Sequence, residues 1–255
     1  MTKSRTIEEA GRKNVRVVAI IQARMGSTRL PGKVLKDLAG DTVLARVVNR
    51  ARRAKLVDEV VVATSVKPAD AAIVQECDRL SVAFFRGDEA DVLDRYYRAA
   101  QKFAADAIVR ITSDCPLIDP ELIDQHVRQL LVRWREVDFV TNMVQQTYPL
   151  GLAVEAMPAD VLARMNRMSE AAELREHVTT LAYVEPSLFR VEHIRHSEDL
   201  SDQRWTVDTQ EDLDLVRLIF EHFGGDHFSW TDVLPVLEQN SEWLEINRHI
   251  PQKTV

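Results

Sequence analysis

The sequence predicts an α/β protein, with a mostly parallel β-sheet, helices packed on both of its faces, and antiparallel edge strands added by the second half. Three observations lead there. Four short runs rich in β-branched and apolar residues, at 16–22, 59–64, 82–86 and 107–112, are each followed by a segment with helical spacing of its apolar residues, which makes βα units. The runs are almost wholly apolar instead of alternating, as strands covered on both faces must be. A chain of 255 residues with 45% hydrophobic content can bury one sizeable core.

Taken in order, residues 1–14 mix Lys3, Arg5, Arg12 and Lys13 with Glu8 and Glu9 and read as a disordered arm, leaving 15–255 as a single domain. The first helix, near 42–54, places Leu44, Val47, Val48 and Ala51 on one stripe. The second starts at Pro68, which suits a first helical turn, and buries Ile73, Val74 and Cys77. A third spans 91–103, and a fourth opens with Asp119 as N-cap and Pro120 next, burying Leu122, Ile123, Val127 and Leu130. After 138–142 the pattern changes: a short strand within 148–157 lies among Pro149, Gly151 and Pro158, and 159–184 is largely helical. Segments 189–195 and 204–208 read as further strands, 210–223 as a helix with Leu213, Val216, Ile219 and Phe220 inward, and 230–246 as a helix broken around Pro235. This half is expected to add the edge strands and a lid over the open side of the sheet.

Composition excludes several classes. With 33 basic against 40 acidic residues the net charge is −7, a poor match to nonspecific nucleic-acid binding. Two cysteines, Cys77 and Cys115, are too few for a disulfide scaffold, lack CxxC spacing for zinc, and fit a reducing cytoplasm. The apolar run 17–21 is too short for a membrane span or an export signal. A cytoplasmic protein with no membrane partner is expected.

Ligands of open parallel sheets sit beyond the carboxyl ends of the strands, and the first strand leads there into a glycine-bearing loop with three cations. Gly26 and Gly32 are expected to supply left-handed backbone, Arg24, Arg29 and Lys33 to hold phosphate oxygens, and Ser27 and Thr28 to add hydroxyl donors. A basic surface turn is the plainer reading of the same residues. The spacing is neither GxxxxGK[ST] nor GxGxxG, so the P-loop and dinucleotide devices are both excluded.

Two further motifs end an apolar run in an aspartate. In Arg110-Ile111-Thr112-Ser113-Asp114-Cys115-Pro116, Asp114 is placed to meet Mg²⁺, which prefers one or two carboxylates plus substrate phosphates, although a turn before Pro116 would use the same residue. In Arg204-Trp205-Thr206-Val207-Asp208-Thr209-Gln210-Glu211-Asp212-Leu213, Asp208 reads locally as a cap of the next helix.

The run Gln22-Ala23-Arg24-Met25-Gly26-Ser27-Thr28-Arg29-Leu30-Pro31-Gly32-Lys33 resembles the signature loop of the sugar nucleotidyltransferases, and in particular of the cytidylyltransferases of the spore coat polysaccharide F family, relatives of CMP-Kdo synthetase. The likeness extends from about 17 to 220. It implies a three-layer, Rossmann-like nucleotidyltransferase fold of the GT-A-like kind, with 15–142 as the nucleotide-binding half and 143–255 as the acceptor-binding and lid half. It implies transfer of CMP from CTP to a small anionic acceptor, a sugar acid, sugar phosphate or phosphonate, with release of pyrophosphate, in surface polysaccharide or glycoconjugate biosynthesis. Mg²⁺ held by Asp114 and Asp208, and a homodimer, are implied with it.

On the same resemblance Arg24, Lys33, Asp114 and Asp208 carry the catalysis, and Gln22, Ala23, Gly26, Ser27, Arg29, Thr64, Arg86 and Thr112 join Arg24 and Lys33 around the nucleotide. The acceptor is assigned to Tyr148, Glu155, Arg175, His177 and Arg204. In the Gly151-Leu152-Ala153-Val154-Glu155 stretch, Ala153 replaces the acid usual in relatives, which leaves Glu155 alone. Tyr96 and Tyr97 are expected to pack in the core. Use of another nucleoside triphosphate with a sugar phosphate, or a catalytically silent nucleotide-binding homologue, are the two alternatives.

Overall fold

The computed structural model describes residues 15–251, so the amino-terminal arm lies outside the described residues. In chain order the elements are β1 (Val17–Gln22), β2 (Asp37–Leu38), β3 (Asp41–Thr42), α1 (Val43–Ala51), β4 (Glu59–Ser65), α2 (Ala71–Arg79), β5 (Ala83–Gly87), α3 (Val92–Lys102), β6 (Ala107–Thr112) and α4 (Pro120–Val132). The second half adds β7 (Phe139–Thr141), β8 (Glu155–Pro158), α5 (Ala159–Met168), α6 (Ala172–Glu176), α7 (Thr180–Val184), β9 (Val191–His193), α8 (Gln210–Phe223), α9 (Trp230–Gln239) and α10 (Ser241–Leu244). No helix among the described residues is long and apolar enough to cross a membrane.

The main sheet has seven strands in the order β5-β4-β1-β6-β8-β7-β9. β1 pairs in parallel with β4 and β6, and its last residue, Gln22, lies level with Ala63 and Thr112, so β1 and β6 end flush while β4 runs two residues further, to Ser65. Alternation along β1 sends Ile20 to one face, against Leu93 and Tyr96 of α3, and Ile21 to the other, against the packing of α1, α4 and α8. Both isoleucines are fully buried, each worth about 1.5–3 kcal/mol. Tyr96 packs as expected, and its hydroxyl donates to the carbonyls of Ile20 and Ile111, both at 3.1 Å.

The sequence expectations need several corrections. The antiparallel strand of the second half is β8, which lies inside the sheet between β6 and β7, while the rim strand β9 runs parallel to β7. The short β2–β3 ladder escaped notice; its turn, with Ala39 at φ 54° and Gly40 at φ 88°, has the left-handed pair that a two-residue hairpin requires. Residues 204–208 form no strand and make a single bridge, Leu150 to Arg204. The 159–184 region is largely helical as expected, divided into the three short helices α5, α6 and α7. α9 continues through Pro235 and ends at Asn240, whose backbone N–H and side-chain amide both donate to the Val236 carbonyl.

Candidate active site

A cleft of about 900 Å³ opens where β1 and β6 end. Its first wall is the loop after β1. Asp70, buried beneath it, accepts the Met25 N–H at 2.7 Å, and the Met25 carbonyl in turn accepts from Ser27 (3.0 Å) and Gly32 (3.2 Å). Gly32 sits at φ 66°, where a side chain would be strained. Gly26 is not in that region, contrary to expectation; its place is tight because a Cβ there would lie 3.3 Å from Glu89 Oε1.

The loop delivers Lys33 between the two aspartates. Its Nζ lies 2.7 Å from Asp114 Oδ2 and 2.7 Å from Asp208 Oδ1. Burial works against the ammonium, yet the two carboxylates outweigh it and raise the Lys33 pKa. Burial likewise opposes ionisation of Asp114, and Lys33 overrides it, holding the carboxyl down at about 2. Asp208 takes two more cations, Arg29 at 2.8 Å and Arg204 at 3.0 Å.

Asp208 is free to do this because it is not the cap of α8. Thr209 caps that helix in a box with Asp212, and Asp212 also takes Arg204 (2.8 Å) and Asn247 (2.9 Å). The segment before it is bound to both sides: Trp205 N–H donates to Leu150 O at 2.7 Å, and Val207 N–H to Asp114 O at 2.8 Å. Gly151, at φ 115°, permits that approach, since a Cβ would lie 2.7 Å from backbone atoms of Trp205 and Thr206. Two carboxylates from distant segments therefore converge on one cation.

Among the described residues no group of three or more His, Cys, Asp or Glu could hold a metal. Asp114 and Asp208 suit a hard divalent ion that takes its remaining oxygens from ligand phosphates and water. The Lys33 ammonium, with a carboxylate on either side, stands where such a charge fits.

Of the residues singled out by sequence, Gln22, Ala23, Arg24, Gly26, Ser27, Arg29, Lys33, Thr112, Asp114, Glu155, His177, Arg204 and Asp208 all line this cleft. Four lie elsewhere. Thr64 is fully buried. Arg86 clamps the end of β4 through the carbonyls of Ser65 (2.9 Å) and Lys67 (3.0 Å). Tyr148 packs its ring on His196 and Trp230. Arg175 ties α6 to the start of α3 through Asp91 (2.8 Å) and also holds the Ser169 carbonyl (2.8 Å).

The far wall contains residues that sequence reasoning missed. Glu155, 1% exposed, accepts from Thr179 Oγ1 at 2.9 Å, from the Tyr183 hydroxyl, and from Arg110 Nη1. Val178, between His177 and Thr179, is a β-branched residue at φ 54°, strain of the kind found at ligand sites. A visible signal existed for Arg110: it is the one charge in the run 107–112, predicted to be covered on both faces.

Residues 18–244 match the sequence profile of a family described as Cytidylyltransferase. The chain is 37% identical over 242 residues to an uncharacterized protein of Methanocaldococcus jannaschii, spanning 94% of this chain and 98% of that one. It is 32% identical over 234 residues to the spore coat polysaccharide biosynthesis protein SpsF of Bacillus subtilis, spanning 89% and 95%. A solved cytidylyltransferase from Leptospira borgpetersenii superposes with a TM-score of 0.89 at 30% identity, covering 94% of this chain and all of that one. By sequence and fold together, the chain belongs to the cytidylyltransferase family and is a nucleotidyltransferase enzyme.

Proposed function

We propose that this enzyme transfers CMP from CTP to a small anionic acceptor, a sugar acid above all, with release of pyrophosphate. The observation that carries this is the convergence of Lys33, Asp114 and Asp208 at the carboxyl ends of the central strands, beside Arg24 and Arg29. The acceptor oxygen forms a bond to the α-phosphorus as the bond to the β-phosphate oxygen breaks. No protein nucleophile is needed, so positioning and charge neutralisation supply the rate.

Arg24, Arg29, Lys33 and the Ser27 hydroxyl hold the departing β- and γ-phosphates, and the half formed by 15–142 binds the nucleotide while 143–255 supplies most of the acceptor's wall and covers it. Asp114 and Asp208 would hold Mg²⁺, which when bound offsets negative charge on the phosphates. Cys115 lines the cleft but takes no part as a nucleophile: burial and the adjacent Asp114 push its thiol up to about 12. The two free, buried cysteines accord with a cytoplasmic setting, and kinship with SpsF with polysaccharide synthesis.

The test is pyrophosphate release across CTP, UTP, GTP and ATP, each with a 2-keto sugar acid, a sugar phosphate and a phosphonate. CTP-dependent release is expected, and release with another nucleotide alone would refute the assignment. We also propose a homodimer, which light scattering at micromolar concentration checks; a monomer there refutes it.

A further inference from the structure

We propose that Arg110 is the residue that anchors the anionic group of the acceptor, and that Glu155 acts as its positioning residue without touching the acceptor. This inference rests on the proposed CMP transfer. Arg110 stands in the middle of β6, paired across to Ile20 on one side and Glu155 on the other. A guanidinium within the central strands of a sheet is an expensive choice, because an ion pair there contributes little more stability than well-packed apolar residues would. Its presence calls for a role other than stability.

The hydrogen bonds divide the two partners sharply. Glu155 is buried, and its two oxygens already receive Arg110 Nη1, Thr179 Oγ1 and the Tyr183 hydroxyl. An anionic acceptor would only be repelled by that carboxylate. Arg110 is the reverse. Its side chain reaches the cleft, and a single nitrogen is engaged, while Nε is shut off from water with no partner. An unpaired N–H in such a place costs stability until something accepts from it. The two terminal nitrogens, Nη2 and the second N–H of Nη1, form a planar fork, the shape that takes a carboxylate or phosphate in two parallel hydrogen bonds.

Location separates this anchor from the triphosphate. Lys33 and Arg29 are engaged with Asp114 and Asp208 at the strand ends, whereas Arg110 lies four residues before Asp114 and pairs with Glu155, the carboxylate that Thr179 and Tyr183 of the second half also hold. Ala153, also on the cleft wall, is small and adds no negative charge there. The acceptor class is thus a sugar bearing a carboxylate or phosphate, held away from the cations that meet the leaving group.

Pyrophosphate release is measured with CTP and three probes: 2-keto-3-deoxy-manno-octonic acid, a hexose 1-phosphate and free hexose. Arg110→Lys keeps the charge opposite Glu155 but removes the fork; the double variant Arg110→Gln with Glu155→Gln removes the pair without stranding a buried charge. For the anionic probe that wild type uses, acceptor KM should rise roughly 10-fold or more in both variants, while KM and Kd for CTP stay within about 2-fold. Unchanged acceptor KM, an equal shift on the CTP side, or wild-type turnover of free hexose as good as that of the anionic probes would overturn the proposal. CTP binding with no use of any anionic probe would also overturn it while sparing the nucleotide assignment. Loss of CTP binding in the wild type would instead bring down the assignment on which it rests.

Discussion

Two segments leading into helices, 112–120 after β6 and 204–212 before α8, carry the same local pattern, an upstream aspartate and a second one four or five residues later. In both the downstream carboxylate is taken up by the fold. Asp119 accepts from Glu121 (2.8 Å) and Leu122 (3.2 Å) at the start of α4 and from Trp230 (2.9 Å) of α9. Asp212 closes the capping box of α8 and neutralises Arg204. In both the upstream carboxylate, Asp114 or Asp208, is left to face Lys33. Where two acids could cap a helix, the one nearer the helix does so, and the other becomes available for chemistry.

The most severe way to break this symmetry is to neutralise the upstream pair. Asp114→Asn and Asp208→Asn should each lower turnover roughly 10³-fold, about 4 kcal/mol, with the melting temperature almost unchanged. The double variant should lose little more than either single one, because residues that act as a unit are not additive. Pyrophosphate release and thermal melting on the three proteins decide this. Near-normal turnover in Asp208→Asn would remove the second segment from the site.

Lys33 joins the two segments, so Lys33→Ala should follow with a loss of about 10²-fold in kcat/KM for CTP, near 3 kcal/mol. A well-folded variant with unchanged kinetics would show that the ammonium serves only to neutralise the aspartates.

The downstream acids should behave oppositely, with stability lost first. Asp212→Asn leaves the buried Arg204 with Asp208 as its one carboxylate and should cost about 3 kcal/mol, whereas Asp119→Asn retains an acceptor at the cap and should cost about 1 kcal/mol. Denaturant midpoints measure both, and kcat below the melting transition should remain within several-fold of wild type. A drop in kcat as large as that of Asp114→Asn would erase the division of labour.

Acid supplies the mildest contrast. The helix after the first segment holds a fully buried histidine, His126, whereas His222 of α8 is exposed. Burial pushes the His126 imidazole down to about 4, so between roughly pH 6.5 and 4 the unfolded chain binds a proton that the folded one does not. Stability from this residue is therefore complete above the unfolded value and is lost as pH falls toward 4. Melting temperatures from pH 7.5 to 4.5 should show a shallower decline in His126→Leu than in wild type, and parallel declines would refute the attribution.

Much of the cleft was legible in the chain because its components are local. The β1 loop, Asp114 before Pro116, and the βα alternation are fixed by residues within a dozen positions of one another. The structure departs from the sequence reading where long-range contacts engage a segment. Arg175 and Tyr148, assigned to the acceptor on the resemblance, lie off the cleft, where Asp91 and the rings of His196 and Trp230 engage them. Residues 204–208 have strand-like composition, but pairing to Leu150 on one side and Asp114 on the other leaves them a single bridge.

By itself the sequence determined the layered α/β architecture, since period, apolar runs and caps act over short range and all agree. It also determined the identity of the loop cations and of both upstream aspartates. Only the tertiary structure decided which carboxylate of each pair was free, that Lys33 would stand between them, and that Glu155 would be occupied by Arg110, Thr179 and Tyr183. Those outcomes depend on charges brought together across the fold, whose strength is set by distance and burial, and neither quantity is encoded in any one stretch of chain.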